Sequence, residues 1–265
     1  MTTATSPEPL VLRHDRPDGL TTLTLNRPSQ FNALSQAMLA ALQAELVAVG
    51  ASETVRVVVI AGAGKAFCAG HDLKEMRAAP SLDYYERLFS QCARLMMTIQ
   101  KLPVPVVARV HGTATAAGCQ LVAMCDLAVA AQEARFAVSG VNLGLFCSTP
   151  GVALSRNLAN KHAMEMLLTG ELLPAAEAWR MGLVNRVVPA AQLDAEVAAW
   201  AAKIAAKSGS AIAIGKRAYY EQAEMGLEAA YRYAAAVMQR NLATADAAEG
   251  IDAFLQKRPA CWVDR

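Results

Sequence analysis

The chain has 265 residues, of which 54% are hydrophobic and 18% charged, with a formal net charge of +2. At about 150 residues per domain, this allows one large domain or two modest ones. It excludes a disordered chain, a long charged tail and a highly charged coiled coil. The near-neutral balance also excludes a general polyanion binder, so no nucleic-acid partner is expected, though a local basic patch is allowed.

In chain order, Met1 to Pro9 is polar, lacks the apolar h-region of a secretory signal and reads as a flexible tail. Leu10 to Arg13 and Leu20 to Leu25 read as strands around the turn Pro17-Asp18-Gly19. Ser35 to Val49 carries Met38, Leu39, Leu42, Leu46 and Val49 near helical spacing. Val55 to Ile60 is a continuous β-branched run, the pattern of a strand buried on both faces. The cycle returns with a helix over Tyr84 to Gln100 and a strand over Val104 to Val110. A small-residue turn, Gly112 to Gly118, then feeds a helix through Met124, and a short strand follows at Ala128 to Ala130. Strands alternating with helices imply a right-handed α/β winding. After Pro189 the pattern is helical: Ala191 to Lys207, Ser210 to Glu224, Leu227 to Asn241 and Ala247 to Gln256. The expected division is a tail over 1–9, a core over 10–195 and a helical region over 196–265.

The longest apolar stretch, Ala114 to Ala131, holds Gln120 and Asp126. It reads as a buried helix and strand, because an unpaired aspartate deep in lipid is costly; no membrane role is expected. Six scattered cysteines form no CxxC pair and no zinc-ligand or disulfide spacing. Free thiols, no metal and a cytoplasmic location follow as expectations.

Three glycine-containing segments follow strands: Gly62 to Met76, Val110 to Asp126, and Phe136 to Gly151. Small residues before a helix let a ligand approach free backbone N–H groups, which suits an anion or a developing oxyanion. Each segment alone is equally a helix entry with tight packing. No GxxxxGK[ST] or GxGxxG motif is present.

Taken together the segments resemble the enoyl-CoA hydratase/isomerase (crotonase) family from about Leu20 to the end of the chain. The resemblance rests on Asn26-Arg27-Pro28 with Asn32-Ala33-Leu34, on Gly64 to Gly70 with Asp72, on His111-Gly112 with Gly118-Cys119 and Cys125-Asp126, and on Ala253 to Pro259. It implies an α/β spiral of β-β-α units with C-terminal helices that build trimers, often paired into hexamers. It implies an acyl-CoA or enoyl-CoA thioester ligand, with coenzyme A as part of the substrate and no tightly bound cofactor. It also implies an oxyanion hole made of two backbone N–H groups, by position those of His71 and Ala117. Residues implied along the coenzyme A path are Arg27, Lys65, Ala66, Ala69, Asp72, Leu73 and Lys74, with Phe254 and Lys257 reaching a neighbouring subunit's ligand.

The chain departs from the family at the two glutamates that handle water and the α-carbon proton. Their positions hold Gln120 and Gly140. A glutamine amide holds water but does not take its proton near pH 7, and general acid–base catalysis contributes about 10²–10⁴-fold per group. Efficient hydration is therefore not expected, while enolate binding is.

The run Phe146-Cys147-Ser148-Thr149-Pro150-Gly151 resembles a divergent branch of the family, the domain-containing-protein-3 type. Cys147 reads either as a thioester nucleophile or as a packing residue at a helix start. His71 reads either as an imidazole at the acyl group or as a side chain turned away while its amide acts. Glu86 reads as an inward base or a solvated charge. His111, Asp126 and Asp72 read as structural. Met38, Leu88, Phe89, Leu95 and Met96 read either as an acyl pocket or as plain core. Two functions stand side by side: an enzyme acting through a thioester enolate (isomerase, slow hydratase, decarboxylase or thioesterase), or a noncatalytic acyl-CoA-binding subunit.

Overall fold

Short β-branched strands separated by glycine turns wind into two sheets. In a computed structural model, which describes residues 8–78 and 80–263, an opening hairpin joins the larger sheet and each later pair of strands adds one strand to each sheet. The first hairpin is β1 (Val11–Asp15) with β2 (Leu20–Leu25). A 3-10 turn (Pro28–Gln30) leads to α1 (Gln36–Gly50), capped by the Ser35 hydroxyl accepting from the Met38 N–H. Next come β3 (Val57–Gly62), β4 (Ala66–Cys68), α2 (Leu73–Ala78) and α3 (Leu82–Lys101). The second turn is β5 (Val106–Val110), β6 (Thr113–Thr115) and α4 (Ala117–Met124). The third is β7 (Leu127–Ala131) and β8 (Arg135–Ala137), followed by a 3-10 turn (Ser139–Leu143), α5 (Ser148–Asn157) and α6 (Asn160–Thr169). Then follow β9 (Leu173–Pro174), α7 (Ala175–Met181), β10 (Arg186–Val188), a 3-10 turn (Ala190–Gln192) and α8 (Leu193–Ala205). The chain closes with α9 (Gly209–Gln222), α10 (Leu227–Leu242) and α11 (Ala245–Leu255).

The larger sheet has the order β1-β2-β3-β5-β7-β10, parallel except for the β1–β2 hairpin. The smaller has the order β4-β6-β8-β9, with β8–β9 antiparallel. This is the expected β-β-α spiral. The Val55–Ile60 run explains itself. Val58 and Ile60 face the main core with α1 and α3, whereas Val57 and Val59 face a second apolar layer with Leu193, Val197 and Ala201 of α8. A strand covered on both faces needs no polar alternation.

Because α8 seals that second layer, the expected division at 195/196 falls inside it, and the packed core runs on to Ala205. Residues 1–7 of the expected tail lie outside the described residues, while the Pro9 carbonyl accepts from Asn26 Nδ2 at 3.0 Å. The apolar stretch Ala114 to Ala131 is β6, α4 and β7, with every residue of α4 buried. No described helix is long and apolar enough to cross a membrane.

The last helices are joined to the core at one buried cluster. Lys216 on α9 donates to the Ile99 carbonyl (2.9 Å), the Val104 carbonyl (3.0 Å) and Asp126 Oδ2 (2.6 Å). Asp126 also accepts from Tyr220 (2.8 Å) and from the Val106 N–H (2.7 Å). Burial pulls the Lys216 ammonium below its ordinary range, against the opposing pull of Asp126. Beyond this cluster α9 and α10 leave large apolar side chains in the open, among them Leu227 (76% exposed) and Tyr231 (72%).

Candidate active site

The chemistry predicted for residues 71 and 117 depends on whether two distant backbone segments meet. Gly70 and Ala117 are in contact. Gly70 sits at φ +90°, and a Cβ built on it would lie 3.1 Å from the Ala117 nitrogen and 2.9 Å from Ala116 Cβ. The contact is held from both sides. The Thr115 hydroxyl donates to the Ala69 carbonyl (3.1 Å), and a Cβ on Gly118 would come within 2.1 Å of the Cys68 carbonyl oxygen. Only a chain of small residues could cross here.

Both amides are left without a backbone acceptor. Ala117 is the first residue of α4, so its N–H has no intrahelical partner. Ala116 before it adopts φ 50°, ψ −120°, an unusual conformation for alanine that sets the entry to the helix. His71 forms a parallel bridge with Leu34, in which Leu34 donates to the Gly70 carbonyl and accepts from the Asp72 N–H. In such a bridge the central residue's own N–H points the other way.

The His71 imidazole is tied elsewhere. Its Nδ1 lies 3.4 Å from the Leu34 carbonyl, and its ring packs edge-on against Phe89 at 5.4 Å between centroids. Burial holds it below the usual histidine range, outweighing the Leu34 carbonyl, so it is neutral at pH 7. Asp72 orders the same loop: it accepts from the Lys74 and Glu75 N–H groups at the start of α2 and pairs with Arg27 at 3.1 Å.

One turn along α4 from Ala117 stands Gln120, 5% exposed, with its Oε1 buried and lacking a hydrogen-bond partner. At the second position, Gly140, a Cβ would lie 2.7 Å from Cys147 Sγ and 2.6 Å from the Leu145 carbonyl oxygen. The Cys147 thiol occupies the space into which a side chain at 140 would grow, and it accepts the Gly140 N–H at 3.3 Å. Burial pushes the Cys147 thiol up, outweighing that hydrogen bond. It is a protonated packing group, not a thiolate. The nearby Cys119 is pushed up to about 12 by burial. All six cysteines are free.

The sequence matches the Enoyl-CoA hydratase/isomerase family over residues 15–265. The chain belongs to that family. It is 47% identical over 255 residues to the mouse (Mus musculus) enoyl-CoA hydratase domain-containing protein 3, mitochondrial, covering 96% of this chain and 85% of the relative. The human (Homo sapiens) protein of the same name is 47% identical over 245 residues, covering 92% and 81%. Among solved structures, an enoyl-CoA hydratase from Mycobacterium smegmatis superposes with a TM-score of 0.95 at 59% identity, covering 96% of this chain and 99% of that one. Human enoyl Coenzyme A hydratase domain-containing protein 3 superposes with a TM-score of 0.92 at 45% identity, covering 96% and 100%.

The remaining enoyl-CoA hydratase/isomerase positions are placed as follows. Ala66 is buried and Ala69 exposed in the segment that leads to Gly70, Lys65 and Lys74 are exposed, and Leu73 is half in solvent. Arg27 pairs with Asp72 and donates to the Ala33 carbonyl at 3.3 Å. His111 Nε2 lies 2.9 Å from the Gly64 carbonyl, a link between the first two turns of the spiral. Asp126 belongs to the Lys216 cluster described above. Glu86 faces solvent on α3, with Gln36, Arg87, Ser90, Gln91 and Arg94 around a shallow hollow of about 430 Å³ that includes none of residues 66–71 or 117–120. Met38, Leu88, Leu95 and Met96 are buried in the main core, and the Phe89 ring packs against His71. Phe254 (83% exposed) and Lys257 stand free at the end of α11. Among the described residues, no group of three or more metal-ligating side chains is gathered.

The sequence reading missed the Gly140–Cys147 contact and the Lys216 cluster. A buried aspartate in an apolar stretch did signal that a cation must come from somewhere, but its partner lies 90 residues away.

Proposed function

We propose that the protein binds an acyl-CoA or enoyl-CoA thioester and stabilises its enolate through the main-chain N–H groups of His71 and Ala117, with little hydratase activity. The observation that supports this reading is the Gly70–Ala117 contact, which sets the backbone just before His71 against the first residue of α4, with glutamine and glycine at 120 and 140. Preorganised amides aimed at a developing oxyanion are worth roughly 3 kcal/mol each. They survive loss of the acids, because no side chain supplies them. The coenzyme A moiety runs along Lys65, Ala66, Ala69 and Lys74. Isomerisation or decarboxylation needs fewer proton-transfer groups than hydration, and thioester hydrolysis is the remaining alternative. The Cys147 thiol is protonated and packed, which argues against a covalent route.

The second reading, a noncatalytic acyl-CoA-binding subunit, is favoured by the same Cys147 side chain closing the second acid position. A homotrimer or a dimer of trimers is part of the proposal, supported by the exposed apolar faces of α10 and α11, which carry Phe254 and Lys257. So is a place in fatty acid metabolism, as an isomerase or lyase of low hydratase power. A cytoplasmic setting is supported by the free thiols, beside relatives whose names place them in mitochondria.

The test incubates the pure protein with a panel of acyl- and enoyl-CoA thioesters, followed by mass spectrometry and by calorimetric binding. Conversion of one thioester class with slow crotonyl-CoA hydration is expected. If every thioester survives while binding is measurable, the enzyme is excluded in favour of the binding subunit. If none binds, both readings fall.

A further inference from the structure

The tether of the His71 imidazole is one-sided. A carbonyl only accepts, so the contact with Leu34 at 3.4 Å puts the ring proton on Nδ1. Nε2, across the ring, keeps its lone pair. It is buried and has no hydrogen-bond partner. Buried polar atoms are paired as a rule, and one left unpaired marks a place where a ligand supplies the partner or where chemistry is done.

Two more such atoms belong to the same corner of the molecule. Gln120 Oε1 stands one turn along α4 from Ala117, which touches Gly70, the residue before His71. The Tyr84 hydroxyl stands on α3, the helix whose Phe89 packs against the His71 ring. Both side chains are 5% exposed, and α3 packs on α4. The three groups are not chemically equal. An amide oxygen does not take a proton near pH 7. Burial, with the charges of Glu75 and Asp72 beside it, pushes the Tyr84 phenol up, so it remains a donor. Burial keeps the imidazole neutral, and a neutral imidazole is a base.

We infer that His71 Nε2 is the base that takes the α-carbon proton of the bound thioester; this rests on the ligand class and the paired amides proposed above. The thioester oxygen sits on the residue's own N–H. The α-carbon is two bonds from that oxygen, within the sweep of the same side chain. Nε2 takes the proton, the C–H electron pair moves into the enolate, and its charge rests on the oxygen held by the amides of His71 and Ala117. The imidazolium then gives the proton back. Returned to the α-carbon of a saturated thioester, it produces exchange with solvent. Returned to the γ-carbon of a 3-enoyl thioester, it produces the 2-enoyl isomer. No water is added and no second acid is required, in keeping with glutamine and glycine at 120 and 140.

The test follows deuterium uptake at the α-carbon of butyryl-CoA in heavy water, by NMR and mass spectrometry, and conversion of 3-hexenoyl-CoA to 2-hexenoyl-CoA by absorbance. Calorimetry measures butyryl-CoA affinity in parallel. Wild type is compared with His71→Gln and His71→Ala, which both keep the main-chain N–H, and circular dichroism confirms that each is folded. Both variants still bind butyryl-CoA but lose about 100-fold or more in exchange and isomerisation. Added imidazole restores His71→Ala and leaves His71→Gln inactive, which a merely structural role for the ring would not produce. Wild-type binding with neither exchange nor isomerisation, a variant as active as wild type, or an alanine variant that imidazole does not restore would overturn the base role and leave the binding reading standing. Failure of the wild type to bind butyryl-CoA would overturn the ligand class as well.

Discussion

Replacing Lys216 by methionine removes one ammonium and leaves three acceptors short. The side chain is 6% exposed, and its three N–H donors are matched by the Ile99 carbonyl, the Val104 carbonyl and Asp126. After the change, Asp126 retains only the Val106 N–H and the Tyr220 hydroxyl, so a carboxylate remains in a largely dry site without its countercharge. Breaking a buried pair from one side costs about 3–5 kcal/mol, most of it from the stranded partner. For a chain of this size that corresponds to a fall in melting temperature on the order of 10 °C. The assay is thermal and urea unfolding followed by circular dichroism at fixed protomer concentration, since any assembly makes the midpoint concentration-dependent. The double variant with Asp126→Asn no longer buries an unpaired charge and should recover part of the loss. A loss below about 1 kcal/mol for Lys216→Met, or a double variant no more stable than the single one, would refute the reasoning.

Three further outcomes follow from the geometry. Gly118→Ala drives a methyl group to within 2.1 Å of the Cys68 carbonyl, so it should separate the 68–71 and 115–118 segments. We expect a loss of at least 2 kcal/mol, on the order of other severe core insertions, together with loss of thioester binding by calorimetry. Gly140→Glu does not restore hydration in a crotonyl-CoA assay, because Cys147 Sγ and the Leu145 carbonyl already fill the space. It destabilises by roughly 1–3 kcal/mol, and pairing it with Cys147→Gly eases that loss. Finally, Glu249 is held down to about 2 from its ordinary 4.5 by hydrogen bonds from Arg258 and from the Cys261 N–H. A carboxylate with a lowered folded-state pKa contributes fully above its unfolded value, and its contribution is lost as the pH falls through the folded one. The hold of the 258–263 segment on α11 should therefore weaken between about pH 4.5 and 2. Trp262 reports it by fluorescence, since its indole donates to the Ala206 carbonyl beside Gly250. The same transition in Glu249→Gln would refute the assignment.

What the sequence made legible follows element length. The valine-rich strands of the larger sheet, α1 and α3 are long enough for periodicity to declare them. The smaller sheet is not: β4, β6 and β8 have three residues each, too few to fix a period, and they sit inside what reads as glycine loop. The segment between Gly151 and Pro189, which holds most of α5 together with α6, α7, β9 and β10, carries no strong stripe, so its periodicity declares no element. At the site, positions 71, 117, 120 and 140 come from the resemblance to the enoyl-CoA hydratase/isomerase family, carried over residue by residue. That the Cys147 thiol lies against the Gly140 backbone, and that Arg27 pairs with Asp72, are facts of three-dimensional proximity that no local pattern in the sequence declares.

The wholly buried α4 bears on how this chain can change. Its eight residues form an insulated rod, with Gln120 enclosed among them. A glutamate grown there by a single mutation would enter a setting that favours its neutral form, so less of it would stand ionised to accept a proton. A pair of acids at 120 and 140 would take a new donor beside position 120 and a vacated corner beside position 140, acquired together. For natural selection, that double requirement works as a ratchet.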